Sequence, residues 1–123
     1  MNLGPFSHSL NVKDLATSRA FYEALGFKPV GGDAEQGWLI LANTSVTIGL
    51  FQGMFDQNIM TFNPRWNTAF VEDPGGTDIR TIQADLKAKG IKPVIEADES
   101  KTGPAHLILE DPDGNRIMLD QHV

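Results

Sequence analysis

The sequence contains no cysteine, only three histidines and no long apolar run. Without thiols the chain has no disulfides, no thiolate catalysis and no zinc–thiolate site. A helix that crosses a membrane needs about 20 consecutive apolar residues. The stretch from Met1 to Ser7 also lacks the basic flank and apolar core of a secretion signal. These absences predict a cytoplasmic protein that does not associate with membranes.

Basic residues are scarce as well, with 10 Lys and Arg against 16 Asp and Glu and a net charge of −6. This balance argues against nucleic acid and anionic membranes as partners. It is compatible with a cationic ligand, although most acidic surfaces simply keep a protein soluble. The 123 residues, 41% apolar and 21% charged, are typical of one soluble globular domain.

The first half of the chain predicts the element order β-α-β-β-β. Phe6 to Val12 alternates with a period of two, so Ser7, Ser9 and Asn11 form one small polar face. Asp14 is suited to cap a helix that ends at Gly26. Three short strands follow, near residues 27–30, 38–42 and 46–51. The helix carries an apolar stripe that includes Leu15, Tyr22 and Leu25.

The second half repeats the anchor residues of the first in the same order. Asp14 and Asp78 each stand twelve residues before a glycine, and each glycine is followed by an apolar residue and Lys-Pro-Val. The form Ile-x-Leu-x-Gln occurs at 48–52 and again at 117–121. These matches indicate a tandem duplication of one supersecondary unit. We predict a single domain, 1–123, made of one repeat at about 5–52 and a second at about 57–123.

The first strand of the second repeat has two candidate segments. Residues 58–62 and 68–71 both have strand character, and the earlier segment is favoured. Residues 63–77 then form a long loop that carries Trp66. Loops of this length are often functional, but an ordered surface crossing with Trp66 as its packing anchor is an equal alternative.

Two motifs carry a family resemblance. Val-x-Asp-Leu-x-x-Ser-x-x-Phe-Tyr-x-x-Leu-Gly-Phe runs from Val12 to Phe27, and Asp-Pro-Asp-Gly-Asn, which has the chemistry of a type I turn, begins at Asp111. With the duplication, they resemble the vicinal oxygen chelate superfamily, which includes glyoxalase I, extradiol dioxygenases and the fosfomycin- and bleomycin-resistance proteins. The resemblance implies an α+β fold of tandem βαβββ repeats. Each repeat would form a curved half-barrel sheet beside a central cavity, and homodimers are usual in the family.

The resemblance also implies where a metal ion would bind. The family's ligand positions fall on Ser7, Gly49 and Met118, with one more near Ile59. A hydroxyl, a hydrogen and a thioether do not replace the histidine and carboxylate ligands that a divalent ion prefers. We therefore expect no metal and no other cofactor.

The remaining route to a metal site starts from His8. It lies next to the first ligand position, and only a slip or a bulge of one residue would turn it inward. His106 and His122 could join it only if their strands also face the cavity. For all three histidines, an ordinary structural role is the favoured interpretation.

Strand alternation predicts which side chains face the cavity. The predicted ligand-binding residues are Ser7, Ser9, Asn11, Trp38, Thr47, Gly49, Phe51, Phe62, Trp66, Arg116 and Met118, with Asp120 beside the last two. An apolar, aromatic pocket with a few polar groups is typical of a small-molecule site, and aromatic faces suit planar or cationic ligands. The alternative is that these side chains simply fill the barrel. No Ser-His-Asp relay is legible around Ser7 or Ser9, so no catalytic residue is assigned.

Three functions stay open from the sequence. The leading hypothesis is a metal-free protein that binds a small organic molecule without chemistry, similar to the bleomycin-resistance branch. The alternative is an enzyme of the glyoxalase or lyase type with an atypical site. The third is a dimeric structural or regulatory domain with a filled barrel.

Overall fold

The computed structural model describes residues 1–123 and contains seven strands and two α-helices, which confirms the α+β prediction. A short 3₁₀ turn, Ala34–Gln36, follows β2. The elements in chain order are β1 (Phe6–Val12), α1 (Leu15–Ala24), β2 (Lys28–Asp33), β3 (Trp38–Asn43), β4 (Val46–Gln52), β5 (Ile59–Phe62), α2 (Ile79–Ala88), β6 (Ala105–Glu110) and β7 (Arg116–Gln121).

The chain forms two compact units. The first unit comprises Ser7–Ile59, and the second comprises Met1–Phe6 together with Met60–Val123. Both helices have ten residues, and neither has the length and apolar character to cross a membrane. The strand at 59–62 confirms the earlier of the two candidate segments for the start of the second repeat.

In the first unit the strand order is β2-β3-β4-β1. β1 runs parallel to β4, and the other two pairings are antiparallel. Leu15 of α1 packs against a cluster from β3 and β4 on one face of the sheet: Leu39, Leu41, Ile48 and Leu50. The predicted stripe on α1 is shorter than expected, because Leu25 follows the last helical residue and is 57% exposed.

In the second unit the strand order is β5-β7-β6, with β6 and β7 antiparallel. Its core joins α2 to these two strands: Ile79, Ile82, Leu86, Leu107 and Leu119. The counterpart of β2 is reduced to one bridge between Ile95 and Ile108. Pro93 has no N–H to donate, and the amides of Val94 and Ile95 both donate to the Ile108 carbonyl. The second repeat therefore lacks one of the strands that the duplication predicts.

The repeated aspartate and glycine are the two caps of each helix. Asp14 accepts a hydrogen bond from the Thr17 amide at 3.1 Å, and Asp78 accepts one from the Arg80 amide at 2.9 Å. Gly26 and Gly90 have φ values of 96° and 83°, which suit glycine at the end of a helix. The amide after each glycine donates to the carbonyl five residues earlier. The spacing seen in the sequence is thus the length of one capped helix.

In each repeat, the glutamine of Ile-x-Leu-x-Gln links the helix to the last strand of that repeat by a hydrogen bond. The side-chain oxygen of Gln52 accepts from the Leu15 amide at 2.7 Å, and that of Gln121 accepts from the Ile79 amide at 2.7 Å. These amides belong to the first turn, where no backbone partner exists within the helix. The motif was visible in the sequence, but this role appears only in the structure.

Candidate functional site

The candidate site is the face of the first unit's sheet that is turned away from α1. Because Leu39, Leu41, Ile48 and Leu50 contact the α1 side, their neighbours along each strand point to the opposite side. We call this side the aromatic face. Its residues are Ser7, Ser9 and Asn11 of β1, Trp38, Ile40 and Ala42 of β3, and Thr47, Gly49 and Phe51 of β4.

Three aromatic rings dominate one end of the aromatic face. Trp38 and Phe51 are cross-strand partners, and their rings stack with centroids 6.1 Å apart and an interplanar angle of 7°. Phe55, from the segment after β4, lies 5.1 Å from the Phe51 ring at 47°. All three residues are half-buried. Aromatic surface of this kind offers a ligand area for stacking.

The opposite end of the aromatic face is small and polar. Ser7 and Ser9 on β1 are buried, and Ser9 is cross-strand partner to Gly49. Asn11 lies at the ring end instead, as cross-strand partner to Phe51, and its backbone amide donates to the side-chain oxygen of Asn58 at 2.9 Å. None of the nine residues on this face is charged. The face therefore changes from stacked rings beside Asn11 to the hydroxyl groups of Ser9 and Ser7, with no charged residue on its strands.

The Phe51 ring occupies the space that a side chain at position 49 would fill. A Cβ placed on Gly49 would lie 2.4 Å from Cε2 of Phe51 and 3.3 Å from Cδ1 of Ile40. Any side chain at this position would therefore displace the Phe51 ring. A side chain at position 49, where the resemblance implies a metal ligand, would compete with the Phe51 ring for the same space.

The residues present do not fit the divalent ion of the resembled superfamily. Ser7 supplies a neutral hydroxyl, Gly49 supplies nothing, and Met118 supplies a thioether, whereas such ions prefer imidazole and carboxylate ligands. Nowhere do three or more His, Asp or Glu side chains come together in an arrangement that could hold a metal ion.

His8 does not replace Ser7 on the aromatic face. The pairing of β1 with β4 runs without a shift from His8–Ile48 to Val12–Gln52. Alternation along β1 then places His8 on the same side as Leu10 and Val12, which pack against the α1 cluster. The slip or bulge that would turn His8 inward is absent from this stretch.

The second unit carries the remaining predicted residues at separate places. Arg116, Met118 and Asp120 alternate with β7 residues of the α2 core, so they lie on the sheet side away from α2. Arg116 Nε is 3.5 Å from a carboxylate oxygen of Glu110. Phe62 was predicted to wall the cavity with them. It packs instead against the α2 cluster and contacts the Phe6 ring at 5.2 Å.

Trp66 belongs to the long loop, as predicted, and packs against the chain's C-terminal segment. Its ring stacks on the imidazole of His122, with centroids 4.4 Å apart and an angle of 8°, and meets Phe70 edge-on. His122 Nε2 lies 3.2 Å from Asp120 Oδ2. The Asp120 carboxylate raises the pKa of His122 above its usual value, and burial opposes this only in part.

Sequence reasoning missed Phe55 and the Asp120–His122 pair. Phe55 lies outside any strand, so no periodicity marks its direction. Asp120 and His122 are two residues apart at the end of a strand, and this spacing places side chains on one side. That signal was available for the pair.

The comparisons with known proteins agree with this architecture. Residues 4–119 match the family model described as Glyoxalase/Bleomycin resistance protein/Dioxygenase superfamily. A superfamily member from Vibrio splendidus 12B01 shares 16% identity, with a TM-score of 0.64 over 94% of this chain and 97% of that chain. No curated protein matches the sequence.

Two further solved structures have the same fold. An NAD-dependent benzaldehyde dehydrogenase from Legionella pneumophila shares 16% identity, with a TM-score of 0.71 over 97% of this chain and all (100%) of that chain. A Streptomyces coelicolor methylmalonyl-CoA epimerase, in complex with 2-nitronate-propionyl-CoA, shares 18% identity, with a TM-score of 0.65 over 99% of both chains. At these identities the likeness shows the fold alone. Because the family model spans nearly the whole chain, the protein belongs to the glyoxalase/bleomycin resistance protein/dioxygenase superfamily.

Proposed function

We propose that this protein binds a small, planar organic molecule on the aromatic face, without a metal ion and without chemical conversion. The observation that carries the proposal is the Phe51 ring, which fills the space beside Gly49 and stacks on Trp38. Glycine at position 49 offers no side chain that could bind a metal, and Phe51 supplies aromatic surface in its place. Both consequences favour recognition of an organic ligand by stacking.

The polarity of the face narrows the class of ligand. A ligand ring stacked on Trp38 and Phe51 would extend over Gly49 towards Ser9 and Ser7, whose hydroxyls donate and accept hydrogen bonds. The strands place no charge here, so an anionic ligand gains no ion pair. A cationic ring gains from the faces of the aromatic side chains. We therefore favour a neutral or cationic aromatic compound with one or two polar substituents.

The binding test is a thermal-shift screen with aromatic cations, neutral aromatic compounds and 2-oxo acids, followed by titration calorimetry of the hits. A ligand present at 100 times its Kd stabilises the folded protein by about 2.7 kcal/mol. Phe51→Ala should weaken binding of an aromatic hit by about tenfold or more, since about 1.4 kcal/mol corresponds to a factor of ten. The matched control is Phe21→Ala, which removes an exposed ring on α1 and should leave affinity unchanged.

Equal loss of affinity in both variants would reject the aromatic face as the site. Metal analysis of protein purified without chelator tests the other half of the proposal. Trace, substoichiometric metal is the expected result. Stoichiometric Ni, Fe, Mn or Zn that disappears in His8→Ala would overturn the metal-free proposal.

An enzyme of the glyoxalase or lyase type is the second candidate, because the fold is shared with a methylmalonyl-CoA epimerase along 99% of the chain. Conversion of a screened 2-oxo acid or thioester, detected by NMR, would favour it over simple binding. A homodimer is also proposed, as is common in the superfamily, and light scattering tests it. A dimer in which no compound binds would favour a structural or regulatory role.

A further inference from the structure

We propose that His122, when protonated, holds the loop at residues 63–77 to the end of β7 through its stack on Trp66. This role is independent of ligand binding at the aromatic face. It concerns the second unit alone, and it uses a histidine and a tryptophan that the proposed function leaves unexplained.

The geometry places one titratable ring between two fixed partners. The indole of Trp66 covers the imidazole of His122 in parallel, at a centroid distance of 4.4 Å. On β7, Asp120 Oδ2 lies 3.2 Å from Nε2 of the same ring. A charged imidazole gains from both partners at once, from the carboxylate as an ion pair and from the indole face as a cation–π contact.

Internal contacts hold the loop together, so it should move as one segment when the His122 contact changes. Its base is anchored, since the Asn63 amide donates to the Pro5 carbonyl and its side chain donates to the Asp120 carbonyl at 2.9 Å. Farther along, Arg65 pairs with Glu72 at 3.3 Å, and the Asp73 amide donates to the Arg65 carbonyl at 2.7 Å. Trp66 lies inside this braced part, next to Arg65, and forms a bridge with Glu72. Its contact with His122 therefore links the loop to the end of β7.

The charges around His122 leave Asp120 as the group that controls it. On β6, His106 is the cross-strand partner of Asp120 and is exposed. The loop contributes Arg65 and Glu72, which pair with each other. Val123 follows His122, and its carbonyl accepts a hydrogen bond from the Gln121 side chain at 2.9 Å. Of these groups, Asp120 is the one that raises the pKa of His122.

The raised pKa of His122 determines the pH range in which the loop is held. The pKa of His122 in the folded chain lies above the ordinary value of 6.5. The stack and ion pair are therefore fully present below pH 6.5, and their contribution is lost as the pH rises through the folded-state pKa. The loop should be held below pH 6.5 and released as the pH rises through the folded-state pKa of His122.

The test follows Trp66 fluorescence against pH in a Trp38→Phe background, which leaves Trp66 as the single indole. We expect the emission to shift to longer wavelength with a midpoint above pH 6.5, as the indole becomes more exposed. The shift should be lost in His122→Phe, which keeps a stacked ring but cannot take up a proton. Asp120→Asn should move the midpoint downwards.

An NMR titration of the His122 ring in the same proteins makes the result decisive. A titration midpoint of His122 that coincides with the fluorescence midpoint supports the proposal that protonated His122 holds the loop. If His122 titrates while Trp66 emission stays constant, the ring does not hold the loop. A Trp66 transition that persists in His122→Phe would also overturn the proposal, because another group must then cause it.

Discussion

The two repeats share their caps, their glutamine and their helix length, but they bury their helices to different extents. In α2 four residues are buried: Ile79, Ile82, Gln83 and Leu86. In α1 only Leu15 is buried, and Phe21 just outside the stripe is 61% exposed. At the position of Ile82, the first repeat has Ser18. One supersecondary frame therefore supports a well-packed helix in the second repeat and a lightly packed one in the first.

The glutamines show the same difference. Gln121 is 1% exposed, and its side-chain nitrogen lies within hydrogen-bond distance of Asp78, the Gly103 carbonyl and the Val123 carbonyl. Gln52 makes the equivalent bond to its helix, but it is exposed. The repeated motif therefore preserves the same contact in both repeats, and we expect the burial of that contact to determine how much it contributes to stability.

The largest expected difference between the repeats comes from helix packing. Ile82 is 1% exposed, so Ile82→Ala should lower the free energy of unfolding by about 2–5 kcal/mol, because it leaves a cavity in the core. Phe21→Ala, on the exposed side of α1, should change it by no more than about 0.5 kcal/mol. Urea denaturation measures both. Similar losses in the two variants would mean that α1 is better packed in solution than its exposure indicates.

A smaller difference is expected between the two glutamines. Gln121→Ala leaves the buried Ile79 amide without an acceptor and should cost about 1–3 kcal/mol. Gln52→Ala removes the equivalent bond where water has access to the side chain, and should cost about 0.5–1 kcal/mol. The measurement is again the midpoint of urea denaturation, compared between variants whose unfolding free energy has the same dependence on urea concentration. A greater loss from Gln52→Ala would reverse the comparison.

The smallest expected effect is a pH dependence at the Asp78 cap. Burial alone would raise the pKa of Asp78. Hydrogen bonds from the Arg80 amide, Gln121 and the Arg80 side chain, together with the Arg80 charge, outweigh burial and lower the pKa below 3.8. The cap contribution is therefore present above pH 3.8 and lost as the pH falls through the folded-state pKa.

Asp78→Asn should remove this part of the acid sensitivity while keeping an acceptor for the Arg80 amide. Unfolding free energies measured between neutral pH and pH 3 test the prediction. Parallel pH profiles for the wild type and the variant would show that Asp78 contributes nothing to acid unfolding. Gln121→Ala should reduce the acid sensitivity in part, because it removes one of the hydrogen bonds that lower the pKa.

Much of the frame was predictable because local chemistry fixes it. Asp14, Gly26, Asp78 and Gly90 mark helix ends through their own side-chain and backbone preferences, and the structure has caps at all four. The missing second strand of the second repeat was not predictable from the repeated Lys-Pro-Val. Whether a segment beside Pro93 pairs fully depends on the neighbouring strand, which local sequence does not describe.

The candidate site was predictable in part for the same reason. Period-two alternation assigned Ser7, Ser9, Gly49 and Phe51 to one side of their strands, and the register puts these positions on the side away from α1. Phe62 was assigned to the wrong side, because a four-residue strand gives too short a pattern to set its facing. Phe55 and the Trp66–His122 contact come from segments without periodicity, so only three-dimensional packing brings them to their partners.

By itself, the sequence determined the α+β scaffold, the helix caps and which residues occupy the positions where the resemblance implies metal ligands, since each depends on residue type and spacing along the chain. The tertiary structure alone decided that Phe51 fills the space beside Gly49, that α2 is buried more deeply than α1, and that Trp66 covers His122. These features depend on which side chains meet across strands and loops, and such meetings depend on distances in space that local patterns do not encode.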